Sequence, residues 1–190
     1  YYFRTANGKF TSKSGCGNDV ASTRAMARRL IVESTSYWVK EYKVDGFRFD
    51  LMGLIDTETM FKAYEECAKI NKDTLFVGEG WSMYNGPSGT FGMEQKQVSK
   101  TDSISVFNDE LRDAVKAGGF NEGGKGFITG KTTAPSYLVS NILGIPKRNY
   151  KADDPGDSVQ YLVCHDGLTL HDSVFNNTPL DENDAAQKAE

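Results

Sequence analysis

Arg48 and Asp50 stand two residues apart in the run Gly46-Phe47-Arg48-Phe49-Asp50, a cation and a carboxylate in a stretch that reads as a strand. In an extended chain alternate side chains share a face, so Arg48 and Asp50 project to one side while Phe47 and Phe49 project to the other. Burying an ion pair costs more desolvation than burying an apolar pair of similar volume, so such a strand either borders water or builds a site. Two further carboxylates bear on that choice. Glu79 lies between Gly78 and Gly80, with Trp81 beyond, and Asp166 follows His165. Two carboxylates carried by different strands are the minimum equipment for cleaving a glycosidic bond, one attacking or activating water and the other protonating the leaving oxygen. Arg48 would hold Asp50 ionised, as a nucleophile requires. Apolar neighbours around Glu79 would favour the protonated carboxyl that a general acid needs. The flanking glycines suggest close backbone approach, and Trp81 a stacking surface.

The elements that must position these groups follow from periodicity and punctuation. Residues 1 to 21 are rich in Gly, Ser, Thr, Asn and Lys and read as a long loop. From about Ser22 to Tyr42, residues Ala27, Leu30, Ile31, Ser34 and Trp38 recur at helical spacing and lead into the Arg48 strand. Asp56 can cap a second helix with Met60, Ala63, Tyr64, Cys67 and Ala68 on its buried face, after which Leu75-Phe76-Val77-Gly78 reads as a buried strand. A polar loop from about Ser82 to Ser103 precedes a third strand, Ile104-Ser105-Val106-Phe107, and a short helix capped by Asn108 or Asp109. A glycine-rich connection, a helix from Pro135 to Gly144 and a fourth strand, Val159-Gln160-Tyr161-Leu162-Val163, come next. The stretch Thr169 to Asn177 reads as helical, and the polar tail from Leu180 to Glu190 as frayed. Strands alternating with helices imply a parallel sheet, whose functional residues gather at the carboxyl ends of the strands. Asp50, Glu79 and Asp166 each fall at or just past such an end.

Bulk properties narrow the partners. A chain of 190 residues, 38% hydrophobic and 25% charged, suffices for one domain with a sizeable core. A net charge of -4 without a basic cluster argues against nucleic acid, and no apolar run reaches the length of a membrane span. Cys16, Cys67 and Cys164 are odd in number and widely spaced, which argues against a disulfide framework or a closed zinc site and fits a reducing compartment. Cys16 and Cys164 read as small buried residues. His165-Asp166 and His171-Asp172 match no zinc spacing, so neither a metal nor a cofactor is expected, and a structural calcium would leave no mark legible here.

The motifs together resemble a known family. Tyr37 to Gly53 looks like the fourth barrel strand and preceding helix of type I pullulanases in the α-amylase superfamily. Gly78-Glu79-Gly80-Trp81 resembles their fifth-strand motif, and His165-Asp166 with Leu168-Thr169-Leu170 their seventh. Gly15-Cys16-Gly17-Asn18-Asp19 and Phe107-Asn108-Asp109 are similar to pullulanase sequence as well. Gly167 and His171 depart from the pattern, standing where the family commonly has Asn and Trp. The resemblance implies an α/β fold, a partial (β/α)8 TIM barrel with about strands four to seven and their helices. Residues 1–190 would then be one partial catalytic domain lacking the first half of the barrel, including the third-strand Asp and Asn-His motif. It also implies a retaining hydrolase of α-1,6 branch linkages in pullulan and limit dextrins. In that reading Asp50 is the nucleophile, Glu79 the acid and then the base, and Asp166 the stabilising carboxylate. Arg48 and His165 would support the cleavage subsite, and Trp81 would stack on the glucose beyond it. Isoamylase or glycogen-debranching specificity is the rival within the class, and a non-catalytic carbohydrate-binding or structural fragment the rival outside it. A half-barrel has two open edges, so it is expected either to self-associate or to be poorly stable alone, and these residues alone are expected not to turn over pullulan.

Overall fold

The computed structural model describes residues 1–118 and 123–178. The first element is a small antiparallel hairpin, β1 (Thr5–Ala6) and β2 (Lys9–Phe10), set inside the segment expected to be loop. Asn7 and Gly8 turn it with φ of 52° and 74°, the positive values that a two-residue hairpin connection demands. Helix α1 (Ala25–Tyr42) follows, and Lys43 ends it in the left-handed conformation, φ 56° and ψ 35°, turning the chain into β3 (Gly46–Phe49). Helix α2 (Thr57–Ala68) is capped as expected, the Asp56 carboxylate accepting from the Thr59 N–H at 3.0 Å. Arg28 of α1 reaches across to Asp56 at 3.0 Å and Glu58 at 2.7 Å, tying the two helices together.

Strands β4 (Leu75–Gly78), β5 (Ile104–Phe107) and β6 (Ser158–Val159) complete a four-stranded, wholly parallel sheet in the order β3-β4-β5-β6. Helices α3 (Asp109–Val115), capped by the side chain of Asn108, and α4 (Pro135–Ile142) connect β5 to β6. Helix α5 (Leu170–Asn177) starts on Thr169, whose hydroxyl accepts from the Asp172 N–H at 3.2 Å. The expected loop between Ser82 and Ser103 holds one 3-10 turn, Gln95–Lys100. The architecture is thus α/β, a parallel sheet with helices. The polar tail beyond residue 178 lies outside the described residues.

Phe76 on β4 is fully buried and organises the core, with ring centroids 5.6 Å from Phe47, 5.0 Å from Phe49 and 5.5 Å from Tyr64. Met52, Met60, Cys67, Met93, Ile104 and Val106 pack around it. Burial at about 25 cal/mol per Å² makes this cluster the main support of the sheet. The alternation inferred from sequence holds: Phe47 and Phe49 face this core, and Arg48 faces away from it. Among the described residues no helix is long and apolar enough to cross a membrane.

One strand is shorter than expected. The run from Val159 to Val163 reads as strand, yet pairing covers only Ser158 and Val159, with Val159 opposite Phe107. The partner strand ends there, because Asn108 turns to cap α3: beyond it Gln160 accepts from the Asn108 side chain at 3.0 Å, and the Tyr161 hydroxyl accepts from Arg112 at 2.9 Å. Asp166 therefore rides on a loop and not on a strand end.

Candidate active site

Register brings the first two carboxylates together. Phe49 lies opposite Gly78, so Asp50 and Glu79 leave adjacent strand ends side by side. Arg48 stands between them, its Nη1 2.5 Å from Asp50 Oδ1 and its Nη2 2.6 Å from Glu79 Oε1. Burial works against the charged guanidinium, and the hydrogen bond it donates to Asp50 and the fields of Glu79 and Asp50 more than offset it, holding Arg48 above its ordinary range. The Glu79 carboxylate also accepts the Leu51 N–H at 2.8 Å through Oε2. Its expected apolar surroundings are thus replaced by two donors, although the side chain is only 8% exposed. Leu51 holds that N–H in place from a left-handed conformation, φ 44° and ψ 43°, which is strained for a residue with a branched side chain.

The glycines around Glu79 are needed for closeness. The Gly53 N–H donates to Glu79 O at 2.9 Å, and the Glu79 N–H to Phe49 O at 3.1 Å. A Cβ on Gly53 would stand 2.1 Å from Trp81 O, one on Gly78 2.7 Å from Met52 Sδ, and one on Gly80 2.9 Å from the Gln95 nitrogen. Only bare backbone lets the turn after β3 nest against the turn after β4.

His165 joins this pair from the far loop. One of its ring nitrogens, Nε2, lies 3.2 Å from Arg48 Nη2, 3.5 Å from Asp50 Oδ1 and 3.7 Å from Glu79 Oε1. It also lies 3.5 Å from Asp166 Oδ2, but the Asp166 side chain is 85% exposed at the rim. One ligand atom each of Asp50, Glu79 and His165 fall within 4.8 Å of one another, and the cation among them is the Arg48 guanidinium. A second acidic group, Asp153, Asp154 and Asp157, lies at the start of β6. Burial pushes the Asp157 carboxyl up to about 6, and its two acidic neighbours add to this against the N–H donated by Asp153.

A cleft of about 830 Å³ opens over these groups, walled by Trp81, Phe107 and Tyr161. The Arg112 guanidinium sits 5.9 Å from the Trp81 ring centroid and 5.7 Å from that of Tyr161. Burial pushes the Tyr161 phenol up to about 12, against the pull of Arg112. Such a floor suits sugar rings, which offer C–H faces to aromatics and hydroxyls to polar groups. Sequence reasoning had missed Asp109, Arg112 and Tyr161 as cleft residues. Asp109 stands two residues past a strand end in the sequence, where it reads as a cap and as part of Phe107-Asn108-Asp109. Because Asn108 caps α3, Asp109 instead accepts from Gln95 at 2.8 Å and Asn149 at 3.0 Å. Cys16 and Cys164, expected buried, are exposed on the cleft, since both sit on loops, while Cys67 is buried in the core.

No family model matches the chain. Individual proteins do. The chain is 38% identical to Pullulanase A of Streptococcus pneumoniae over 192 residues, covering 100% of itself and 15% of that protein. Its fold matches the catalytic module of a multi-modular glycogen-degrading pneumococcal virulence factor at a TM-score of 0.90 and 37% identity, over 100% of this chain and 26% of that one. A pullulanase from Anoxybacillus sp., solved in complex with maltotetraose, gives a TM-score of 0.81 at 34% identity, again over 100% of this chain and 26% of that one. The chain thus spans 15% of the length of the pneumococcal relative and 26% of each solved chain. From end to end, the chain is similar to one stretch of these pullulanase-type proteins.

Proposed function

We propose that residues 1–190 form part of a (β/α)8 barrel, with β3 to β6 as its fourth to seventh strands, that hydrolyses α-1,6 linkages in α-glucans with retention at the anomeric carbon. The observation that carries this reading is the Arg48 bridge, which holds Asp50 and Glu79 at neighbouring strand ends with one oxygen of each within 4.8 Å. Retaining glycosidases separate their carboxyl groups by about 5 to 5.5 Å, and inverting ones by about 6.5 to 9.5 Å. An oxygen of each carboxylate within 4.8 Å of the other is compatible with the shorter class. The maltotetraose complex of the Anoxybacillus pullulanase supports an α-glucan as the ligand.

In the first step an Asp50 oxygen bonds to the anomeric carbon while the bond to the glycosidic oxygen breaks, and that oxygen takes a proton from Glu79. Glu79, now a carboxylate, then removes a proton from water. The resulting hydroxide equivalent attacks the same carbon and releases Asp50. Arg48 keeps Asp50 in line through the 2.5 Å contact, and its second contact, 2.6 Å to Glu79, neutralises that carboxylate once it has given up its proton. His165 and Asp166 would bind hydroxyls of the sugar being cleaved, and Trp81 would stack on the next glucose. Asp166 must come inward from its exposed place to do so.

The decisive test replaces the aligned segment of pneumococcal Pullulanase A with this chain and measures reducing ends released from pullulan. Hydrolysis that falls by about 10⁴-fold or more in Asp50→Ala is expected. A folded chimera without hydrolysis, or one whose activity survives Asp50→Ala, sinks the proposal. The 190-residue chain alone is expected to bind maltotetraose and leave pullulan intact. Turnover by it, lost in Glu79→Gln, would remove the partial-barrel element.

A further inference from the structure

One wall of the cleft comes from chain that precedes the sheet. Lys13, Ser14, Gly15 and Cys16 border it, although they belong to the segment between the hairpin and α1. Gly15 and Gly17 adopt φ of 77° and 87°, so the segment doubles back twice in the left-handed region. A loop so shaped has little apolar surface to hold it. Its anchor is Asp19, which is 1% exposed. The Asp19 carboxylate accepts the Lys13 N–H at 2.9 Å, the Ser14 N–H at 2.8 Å and the Asn85 Nδ2 at 2.7 Å. Burial alone would raise this carboxyl, yet these donors hold it well below the usual carboxylate range.

Asn85 comes from the loop after β4, four residues past Trp81. Its amide is polarised from both sides: Nδ2 donates to Asp19, and Oδ1 accepts from Arg4 Nη1. This is the one orientation in which both hydrogen bonds can form. Arg4 is 6% exposed, donates through Nη2 to Leu54 O at 3.0 Å just past β3, and lies 4.7 Å from the Tyr84 ring centroid. Tyr84 is itself pinned, its N–H donating to Glu94 at 2.9 Å. A buried carboxylate and a buried guanidinium are thus joined through one amide. That relay links the segments after β3 and β4, which carry Asp50 and Trp81, to the cleft wall.

We infer that Arg4, Asn85 and Asp19 are positioning residues, a clamp that holds Lys13 to Cys16 against an α-glucan in the cleft. The inference rests on the glucan reading above. The clamp touches no reacting atom. It acts by fixing the backbone of Lys13 to Cys16 so that its carbonyls stand where sugar hydroxyls would meet them, which lowers the ordering cost of binding.

The test uses the full 190-residue chain, with amide hydrogen exchange resolved to residues 12–17 and calorimetric binding of maltotetraose. In Asn85→Ala, exchange over residues 12–17 is expected to accelerate about tenfold or more while β4 and β5 keep their protection. Maltotetraose Kd is expected to rise about tenfold, matching about 1.4 kcal/mol. Alkylation of Cys16, followed by peptide mass, is expected to slow in the unaltered chain when maltotetraose is added. Exchange unchanged over residues 12–17, or raised equally in β4 and β5, would overturn the clamp, as would a Kd that stays constant while the loop loosens. Should Asn85→Ala not fold, Asp19→Asn keeps the shape and loses the charge, and the same pattern at about threefold is expected, with the same overturning results. An unaltered chain that fails to bind maltotetraose defeats the glucan reading, and the exchange data then decide separately whether the clamp holds the loop.

Discussion

Glu79 and Asp166 are both carboxylates beyond a strand of the same sheet, yet one side chain is 8% exposed and the other 85%. Glu79 follows a four-residue strand in register with its neighbour, has glycine on each side and accepts two charged or backbone donors. Asp166 follows a two-residue strand and an irregular stretch, next to Gly167 with φ of 80°. The contrast teaches that a carboxylate is placed by the ladder and the backbone packing beneath it, and that a loop leaves the same group at the rim. A site built from both has a rigid half and an adjustable half.

The sharpest way to break that contrast is to disturb the backbone nest under Glu79. Gly53→Ala drives a Cβ to 2.1 Å from Trp81 O and should cost about 3 kcal/mol in urea unfolding, whereas Gly167→Ala should cost about 1 kcal/mol. Equal losses would show that both halves are equally rigid. Next in size is removal of the carboxylates themselves. Glu79→Ala leaves the Leu51 N–H without its acceptor and Arg48 with Asp50 as its remaining carboxylate, and should cost about 2 kcal/mol, while Asp166→Ala should stay within about 0.5 kcal/mol.

A pH series sharpens the view of the β6 end. Asp157 titrates at about 6 in the fold against about 3.9 in an unfolded chain, so between those values the folded protein holds the extra proton. Its contribution to stability therefore falls as pH rises from about 4 to 6. Asp157→Asn should flatten this slope in urea melts taken across that window, and an unchanged slope would remove Asp157 as its source. The smallest effect belongs to Leu51→Gly, where relief of about 1 kcal/mol of left-handed strain offsets the entropy that glycine adds to the unfolded chain. A net change below about 1 kcal/mol is expected from the same melts.

Much of the rigid half was legible in the sequence. Three of the four strands, the caps at Asp56 and Asn108, and the glycine pair around Glu79 follow from local chemistry that tertiary contacts did not override. What local chemistry could not carry is anything that depends on register. Arg48 has a visible partner in Asp50, two residues away, but its contact with Glu79 exists only because β3 and β4 align. The β6 error has the same root, since an apolar run reads as strand whether or not a neighbour continues the ladder. The Asn7-Gly8 signal was present in the letters. The flanking Thr5-Ala6 and Lys9-Phe10 are too short to show the alternation that would mark a hairpin. The exposure of Cys16 and Cys164 depends on where loops run, which composition does not report.

Leu51 carries one consequence for motion. Its N–H is a ligand of the Glu79 carboxylate, and its left-handed backbone leaves few other conformations within reach. Glu79 therefore cannot swing into the cleft by a free side-chain rotation. It must either give up the Leu51 N–H or carry the end of β3, and Asp50 with it. As long as that N–H is kept, the two carboxylates move as a single mechanical part.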